Sequence, residues 1–277
     1  MSSGFAFTCT TFLNPQLKGG RAVTLIRSIL VGLFCFSLCA FAQTADELVT
    51  KNIQAHGGID KMKAISSLRM TGNFDASGFK AAVGQESKRP NLLRQTFTVQ
   101  GMTQIQAYDG SSAWQISPFG GKKDPELMGE SQALHDLLEG SDFDGPLVDY
   151  AAKGNTVEYL GHDQVDGDDA YKLKVTLKNG DIDYYYLDPD TFLEIQIERQ
   201  QFVRGSLRES VELLGSYKPV NGVMFPFSIE SGPKNDPDSR GKVTMTKIEA
   251  NVPLEDKSFK LPPAPAPAVA QTKAGAK

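Results

Sequence analysis

The sequence predicts a mostly β domain with α elements: a large, curved antiparallel sheet of about ten or eleven strands, covered by an N-terminal helix and a helical insert. Three observations predict it. Past residue 67 the apolar residues recur with a twofold period, so that each run has one wet and one dry face. Pairs of residues suited to tight hairpins separate those runs. Helical spacing is confined to the segment after residue 43 and to one stretch in the middle of the chain.

The first element concerns compartment. Arg21 and Arg27 precede an apolar run over residues 29–40, followed by Ala40-Phe41-Ala42 and Gln43. A basic flank, a short apolar core and an A-x-A site predict a signal peptide over residues 1–42, cleaved after Ala42, and hence a periplasmic protein. The run is short for a membrane-spanning helix of about 20 residues. Leu38 before Cys39 and Phe34 before Cys35 argue against lipidation, which needs a small residue there. Cys9, Cys35 and Cys39, the three cysteines, all lie in this leader. The exported chain then has no disulfide, thiolate metal site or cysteine nucleophile. Three of the 29 Lys+Arg and none of the 33 Asp+Glu fall in the leader, so the net charge moves from −4 to −7. A net negative chain without a basic stripe excludes nucleic acid as the expected partner.

The exported part opens with a helix. Thr44 and Glu47 have capping-box spacing, and Ala45, Leu48, Val49 and Ile53 form an apolar stripe. Gly57-Gly58 ends it, and a short helical piece over residues 59–65 follows. Leu68, Met70 and Phe74, then Leu93, Phe97 and Val99, alternate with polar residues. So do Tyr171, Leu173, Val175 and Leu177; Leu193, Ile195 and Ile197; and Val223, Phe225, Phe227 and Ile229. Turns are predicted at Asp109-Gly110, Asp166-Gly167, Asn179-Gly180, Arg204-Gly205 and Asn221-Gly222. The insert is predicted to start at Asp124-Pro125, with proline in the first turn, and to run through Leu127, Leu134, Leu137 and Leu138 to Gly140. A second helical turn is expected near residues 144–150. The domain spans 43–262, and a Pro/Ala-rich, disordered tail occupies 263–277.

Catalytic and metal-binding patterns are sparse. His56, His135 and His162 show no close ligand spacing. His56 sits where a histidine interacts with the last helical carbonyls, and His135 lies within the insert helix. The Asp-rich stretches at 142–145 and 163–169 lack calcium-loop spacing and read as turns. No G-x-S-x-G elbow and no complete phosphate cradle occurs. No enzyme activity, metal or cofactor is expected. What remains is apolar surface: a large sheet with few helices leaves a space that either a ligand or the protein's own side chains must fill.

Four phrases carry a family resemblance: ADELVTKNIQAHGGIDKMKAISSLRMTG (45–72), AYDGSSAWQISP (107–118), VEYLGHDQVDGDDAYKLKVTLKNGDIDYYYLDPDT (157–191) and VNGVMFPFSIE (220–230). In these the chain resembles the LolA/LolB superfamily of lipoprotein carriers and outer-membrane lipoprotein-sorting proteins. The resemblance implies a half-open β-barrel wrapped around helices. It also implies a monomeric periplasmic carrier that binds the acyl chains of a lipoprotein or lipid, with membrane-bound donor and acceptor proteins as partners. An envelope sensor of the same fold that contacts a protein is the alternative. The lining expected for such a carrier is Leu93, Phe97, Val99, Trp114, Leu173, Val175, Tyr184, Tyr186, Phe225 and Phe227, with Leu134 and Leu138 on the lid.

Overall fold

The computed structural model describes residues 43–263. The expected leader, residues 1–42, lies outside the described residues, and so does the expected tail apart from its first residue. Helix α1 (Ala45–Ala55) starts as its capping box dictates: the Glu47 amide donates to the Thr44 hydroxyl at 3.2 Å, and the Thr44 amide donates to the Glu47 carboxylate at 3.1 Å. Gly57 has φ +114° and Gly58 +91°, so the chain reverses into α2 (Ile59–Ala64). At Gly57 a Cβ would stand 2.1 Å from the Gly222 carbonyl oxygen, so only glycine lets the helix end approach that turn.

Six strands follow: β1 (Ser67–Ala76), β2 (Phe79–Lys88), β3 (Leu92–Val99), β4 (Met102–Tyr108), β5 (Ala113–Ser117) and β6 (Lys122–Leu127). The insert is α3 (Gln132–Gly140) and α4 (Tyr150–Lys153). The second half is β7 (Thr156–Val165), β8 (Asp168–Thr176), β9 (Ile182–Leu187), β10 (Glu194–Val203), β11 (Ser206–Gly215), β12 (Lys218–Val220), β13 (Val223–Phe225), β14 (Ser228–Pro233) and β15 (Gly241–Ala250). Thirteen of these form one open antiparallel sheet, in the order β6-β5-β4-β3-β2-β1-β15-β14-β11-β10-β9-β8-β7, and β12-β13 pair separately. The strand count thus exceeds the ten or eleven expected. The insert helix also begins later than expected: Asp124-Pro125 lies inside β6, an edge strand where proline costs no ladder hydrogen bond, and the Ser131 hydroxyl caps α3 by accepting from the Leu134 amide. Asp166-Gly167, Arg204-Gly205 and Asn221-Gly222 all adopt positive φ at both residues, as tight hairpins with the sheet's twist require.

Cross-strand pairing fixes two faces. Met70, Gln85, Gln95 and Gln106 lie in one row, which continues on the other side of β1 through Ile248. Farther along the same face, Leu214 pairs with Ile229, Ile197 with Glu212 and with Tyr185, and Tyr185 with Leu173. This inner face carries the helices. Leu48 and Val49 of α1 pack with Leu173, Val175, Tyr185, Leu187 and Ile197. The outer face is not bare either. After β15 the chain crosses it: the Trp114 indole donates to the Phe259 carbonyl at 2.7 Å, and the Lys88 ammonium donates to the Leu254 carbonyl at 2.9 Å.

Candidate functional site

Gln85 on β2 and Tyr185 on β9 line the same hollow, although six strand spacings separate them. In a flat sheet those spacings would hold them about 29 Å apart. The sheet therefore bends around the hollow, making a half-barrel with α1 to α4 inside its curve.

The hollow has two lobes that share Gln85, Asp142, Tyr185, Arg199 and Glu212 as walls. The smaller, about 390 Å³, is apolar: Met62 and Ile65 from the α2 region, Leu68 and Met70 from β1, Ile248 from β15, Leu214 and Ile229 from β11 and β14, and Phe225. The larger, about 1170 Å³, is polar: Gln95, Gln132, Asp136, Glu139, Arg199 and Glu212 face it.

A buried ion pair stands in the wall of the apolar lobe. His56 Nε2 lies 2.7 Å from Glu194 Oε2, and its Nδ1 lies 2.9 Å from the Met224 carbonyl. Asn52 donates to the other Glu194 oxygen at 3.0 Å, and the Tyr217 hydroxyl bonds the Glu194 carbonyl at 2.9 Å. Burial disfavours the imidazolium, but the Glu194 charge, its hydrogen bond and the Met224 carbonyl outweigh it and hold the His56 pKa above the usual value. Burial likewise opposes the Glu194 carboxylate, yet His56 and Asn52 keep its pKa low. Both partners shift in the direction that favours the ionised pair. It ties α1 to β10 and β13, and it is far from the histidine–carbonyl contact expected at a helix end.

A second charged cluster divides the lobes. The Arg199 Nε donates to Glu139 of α3 at 2.6 Å, and its Nη1 donates to Glu212 of β11 at 2.6 Å. His135 on the far side of α3 bridges Glu130 at 2.7 Å and Asp181 at 3.0 Å, anchoring the insert to the β8–β9 turn. Chemically the hollow offers an apolar end, an acidic and amide-rich end and ionised pairs between them. Among the described residues, no group of three or more His, Cys, Asp or Glu is arranged to hold a metal ion.

No protein-family model matches the sequence, and no curated protein matches it. Solved structures do. A DUF1329 family protein from Desulfovibrio piger superposes with TM-score 0.56 at 13% identity, covering 78% of this chain and 97% of that one. A LolA superfamily protein from Nitrosomonas europaea superposes with TM-score 0.54 at 15% identity, covering 79% of this chain and 98% of that one. The chain shares its fold with these two structures.

Within this LolA-like half-barrel, the residues expected to line the hollow separate into groups. Leu93, Phe97 and Val99 share the row of inward-facing positions with Gln95, and Leu173 and Val175 share the one with Tyr185. Leu93, Leu173 and Val175 are packed away completely, the last two under α1. Phe97 packs on Phe74 and Phe79. Phe225 lines the apolar lobe, and Phe227 packs beside it under the Lys218 ammonium. Three placements are corrected. Trp114 pairs with Ala107 on the outer face, because the segment ending at Phe259 supplies a dry cover there. Tyr184 and Tyr186 also face outward, beneath the Lys172 ammonium, and Tyr185 between them faces in. A one-residue change of register exchanges the faces. On the insert, Leu137 is the buried leucine, Leu134 is half-buried and Leu138 is exposed; Gln132, Asp136 and Glu139 are what α3 presents to the polar lobe. The charged residues of the hollow that escaped the sequence reading, Arg199, Glu212 and Glu194, carry only a weak signal: charges within otherwise alternating strands.

Proposed function

We propose that this protein is a periplasmic carrier that holds an acyl chain of a lipoprotein or lipid in the apolar lobe, with the polar part of the molecule in the larger lobe. The observation that carries the reading is the apolar lobe itself. About 390 Å³ bounded by Met62, Leu68, Met70, Leu214, Ile229 and Ile248 remains open beside the core packed under α1. Each methylene transferred into it contributes about 0.8 kcal/mol, so one chain is held firmly and still released. No bond is made or broken. Export through the N-terminal leader and membrane-bound donor and acceptor proteins complete the reading. Native mass spectrometry of protein purified from its own envelope tests it. Co-purified acylated species and displacement of a fluorescent fatty acid are expected; protein that is always empty and never takes up the probe would return the fold to a sensor role.

A further inference from the structure

All neighbouring strands of the sheet are antiparallel, and their order is known, so the direction of every strand follows. Strands β1, β3, β5, β8, β10 and β14 run the same way, and the turns that follow them therefore lie at one end of the half-barrel. Ten large hydrophobic side chains are exposed among the described residues, and five of them flank or occupy those turns: Phe79, Met102, Phe119, Phe202 and Leu207. Phe202, at 61%, and Leu207, at 45%, face each other across the β10–β11 hairpin. These five are gathered at one end, and of them Phe79 also stacks on Phe97.

The charges divide by end as well. Exposed Lys80, Lys123, Arg204 and Arg208 accompany the apolar turns. Of the acidic residues at this end, Asp75 is the ion-pair partner of Lys80 at 3.7 Å, Asp124 stands next to Lys123, and Asp236 and Asp238 lie in the turn after β14. The turns at the opposite end carry Asp166, Asp168, Asp169, Asp188 and Asp190. In a chain of net charge −4, basic residues set beside exposed phenylalanines make one end different from the rest. The polar lobe reaches this end too, since Arg204, Leu207 and Arg208 line it.

We propose that this end docks on an anionic lipid surface. The phenylalanines would enter the headgroup layer while the lysines and arginines meet anionic headgroups, the arrangement by which peripheral proteins lie on a bilayer. A protein partner fits less well. The apolar side chains sit on separate turns rather than in one contiguous patch that a rigid surface could pack against. A fluid interface accepts each of them singly. No helix among the described residues is long and apolar enough to cross a membrane, so the contact proposed is superficial.

The test uses protein purified from its own envelope and vesicles of phosphatidylcholine, alone or mixed with phosphatidylglycerol. Trp114 is buried, so a Phe202→Trp variant adds a reporter at the hairpin tip against a constant background. Its emission is expected to shift to the blue with phosphatidylglycerol vesicles and not with phosphatidylcholine alone, and added salt should reverse the shift. A Phe202→Ser/Leu207→Ser variant should lose about tenfold or more in co-sedimentation, as expected from removing two apolar side chains from the interface. Its unfolding midpoint should not change, because both side chains are exposed. Three results would overturn the proposal. One is an unshifted reporter with either vesicle. Another is co-sedimentation undiminished in the serine variant, which would place the contact elsewhere in the chain. The third is binding seen only with native envelope vesicles and abolished by protease treatment of those vesicles, which would make the partner a protein. Phe202 does not line the hollow, so the Phe202→Trp reporter stands or falls independently of what the hollow holds.

Discussion

Asp183 on β9 and Arg199 on β10 face each other across adjacent strands, yet no hydrogen bond joins them. Arg199 turns instead to Glu139 and Glu212, and both Asp183 oxygens are left without a partner in a fully buried position. Burial first, and then the Glu139 charge, pushes the Asp183 carboxyl up to about 8, with Arg199 only partly opposing them. At neutral pH this residue is an uncharged acid. Three carboxyls thus share one guanidinium without three negative charges.

The consequence is a pH-dependent stability whose sign is fixed. The unfolded chain releases the Asp183 proton near 3.8, whereas the folded chain keeps it until about 8. Across that window the folded state binds the extra proton, so stability falls as pH rises and levels off above it. Asp183→Asn is uncharged at every pH and should remove this part of the slope. Unfolding midpoints of the two proteins at pH 5, 7 and 9 check it: the variant should gain on the parent as pH rises. Parallel profiles would mean that Asp183 is ionised in the folded protein.

The His56–Glu194 pair has the opposite partner as its sensitive group. Its histidine pKa is raised, so its contribution is complete below about 6.5 and is lost as pH rises through the folded value. His56→Gln leaves the Glu194 charge buried without a cation, which costs about 3 kcal/mol at pH 6. The loss should shrink at alkaline pH, where the parent histidine is neutral as well. Adding Glu194→Gln should recover part of it, because removing both charges removes the desolvation burden. Denaturant titrations of the single and double variants at pH 6 and pH 9 measure both effects.

The contrast between these two sites and the rest of the fold shows what was legible in the sequence. Alternation in β8 is unambiguous, since Lys172 and Lys174 mark the wet face, and Leu173 and Val175 turn inward accordingly. In β9 the run Tyr184-Tyr185-Tyr186 contains no polar marker, and the face cannot be read from it. Trp114 looked like a lining residue by size, but its environment is made by Phe259, far along the chain, and no local pattern reports that. The charged groups of the hollow were hidden for a related reason. Arg199, Glu212 and Glu194 are each ordinary in a half-wet strand; only the bend of the sheet and the position of α3 turn their face into an interior.

Gly57 links the helix end to the β12–β13 hairpin, where the Met224 amide donates to the His56 carbonyl at 2.9 Å. Gly57→Ala would combine a strained positive φ with a Cβ 2.1 Å from the Gly222 carbonyl oxygen, a backbone atom that cannot rotate away. A loss of about 2–4 kcal/mol is expected. Gly58→Ala, with φ +91° and open space around the added carbon, should cost only the strain, about 1–2 kcal/mol. Equal losses at the two positions, read from their denaturant midpoints, would show that the close approach to Gly222 does not constrain the chain.

The openness of the apolar lobe can be tested through the sign of a stability change. Ile229 and Met70 are half-buried and line the lobe from different strands. If the lobe is vacant in the absence of cargo, Ile229→Trp fills it, and cavity filling raises stability by about 0.5–2 kcal/mol. Where side chains already occupy the space, the same enlargement forces them apart and costs about 1–3 kcal/mol. The carrier reading adds a second, opposite effect in the same protein. The indole takes the volume that an acyl chain would occupy, so affinity for a fatty-acid probe should fall about tenfold or more, the equivalent of about two methylenes left outside the lobe. Met70→Trp should behave alike from two strands away. A more stable protein that binds the probe less tightly is the outcome that a vacant, cargo-holding lobe requires. A destabilised variant, or one that binds the probe as before, would place the acyl site outside this lobe.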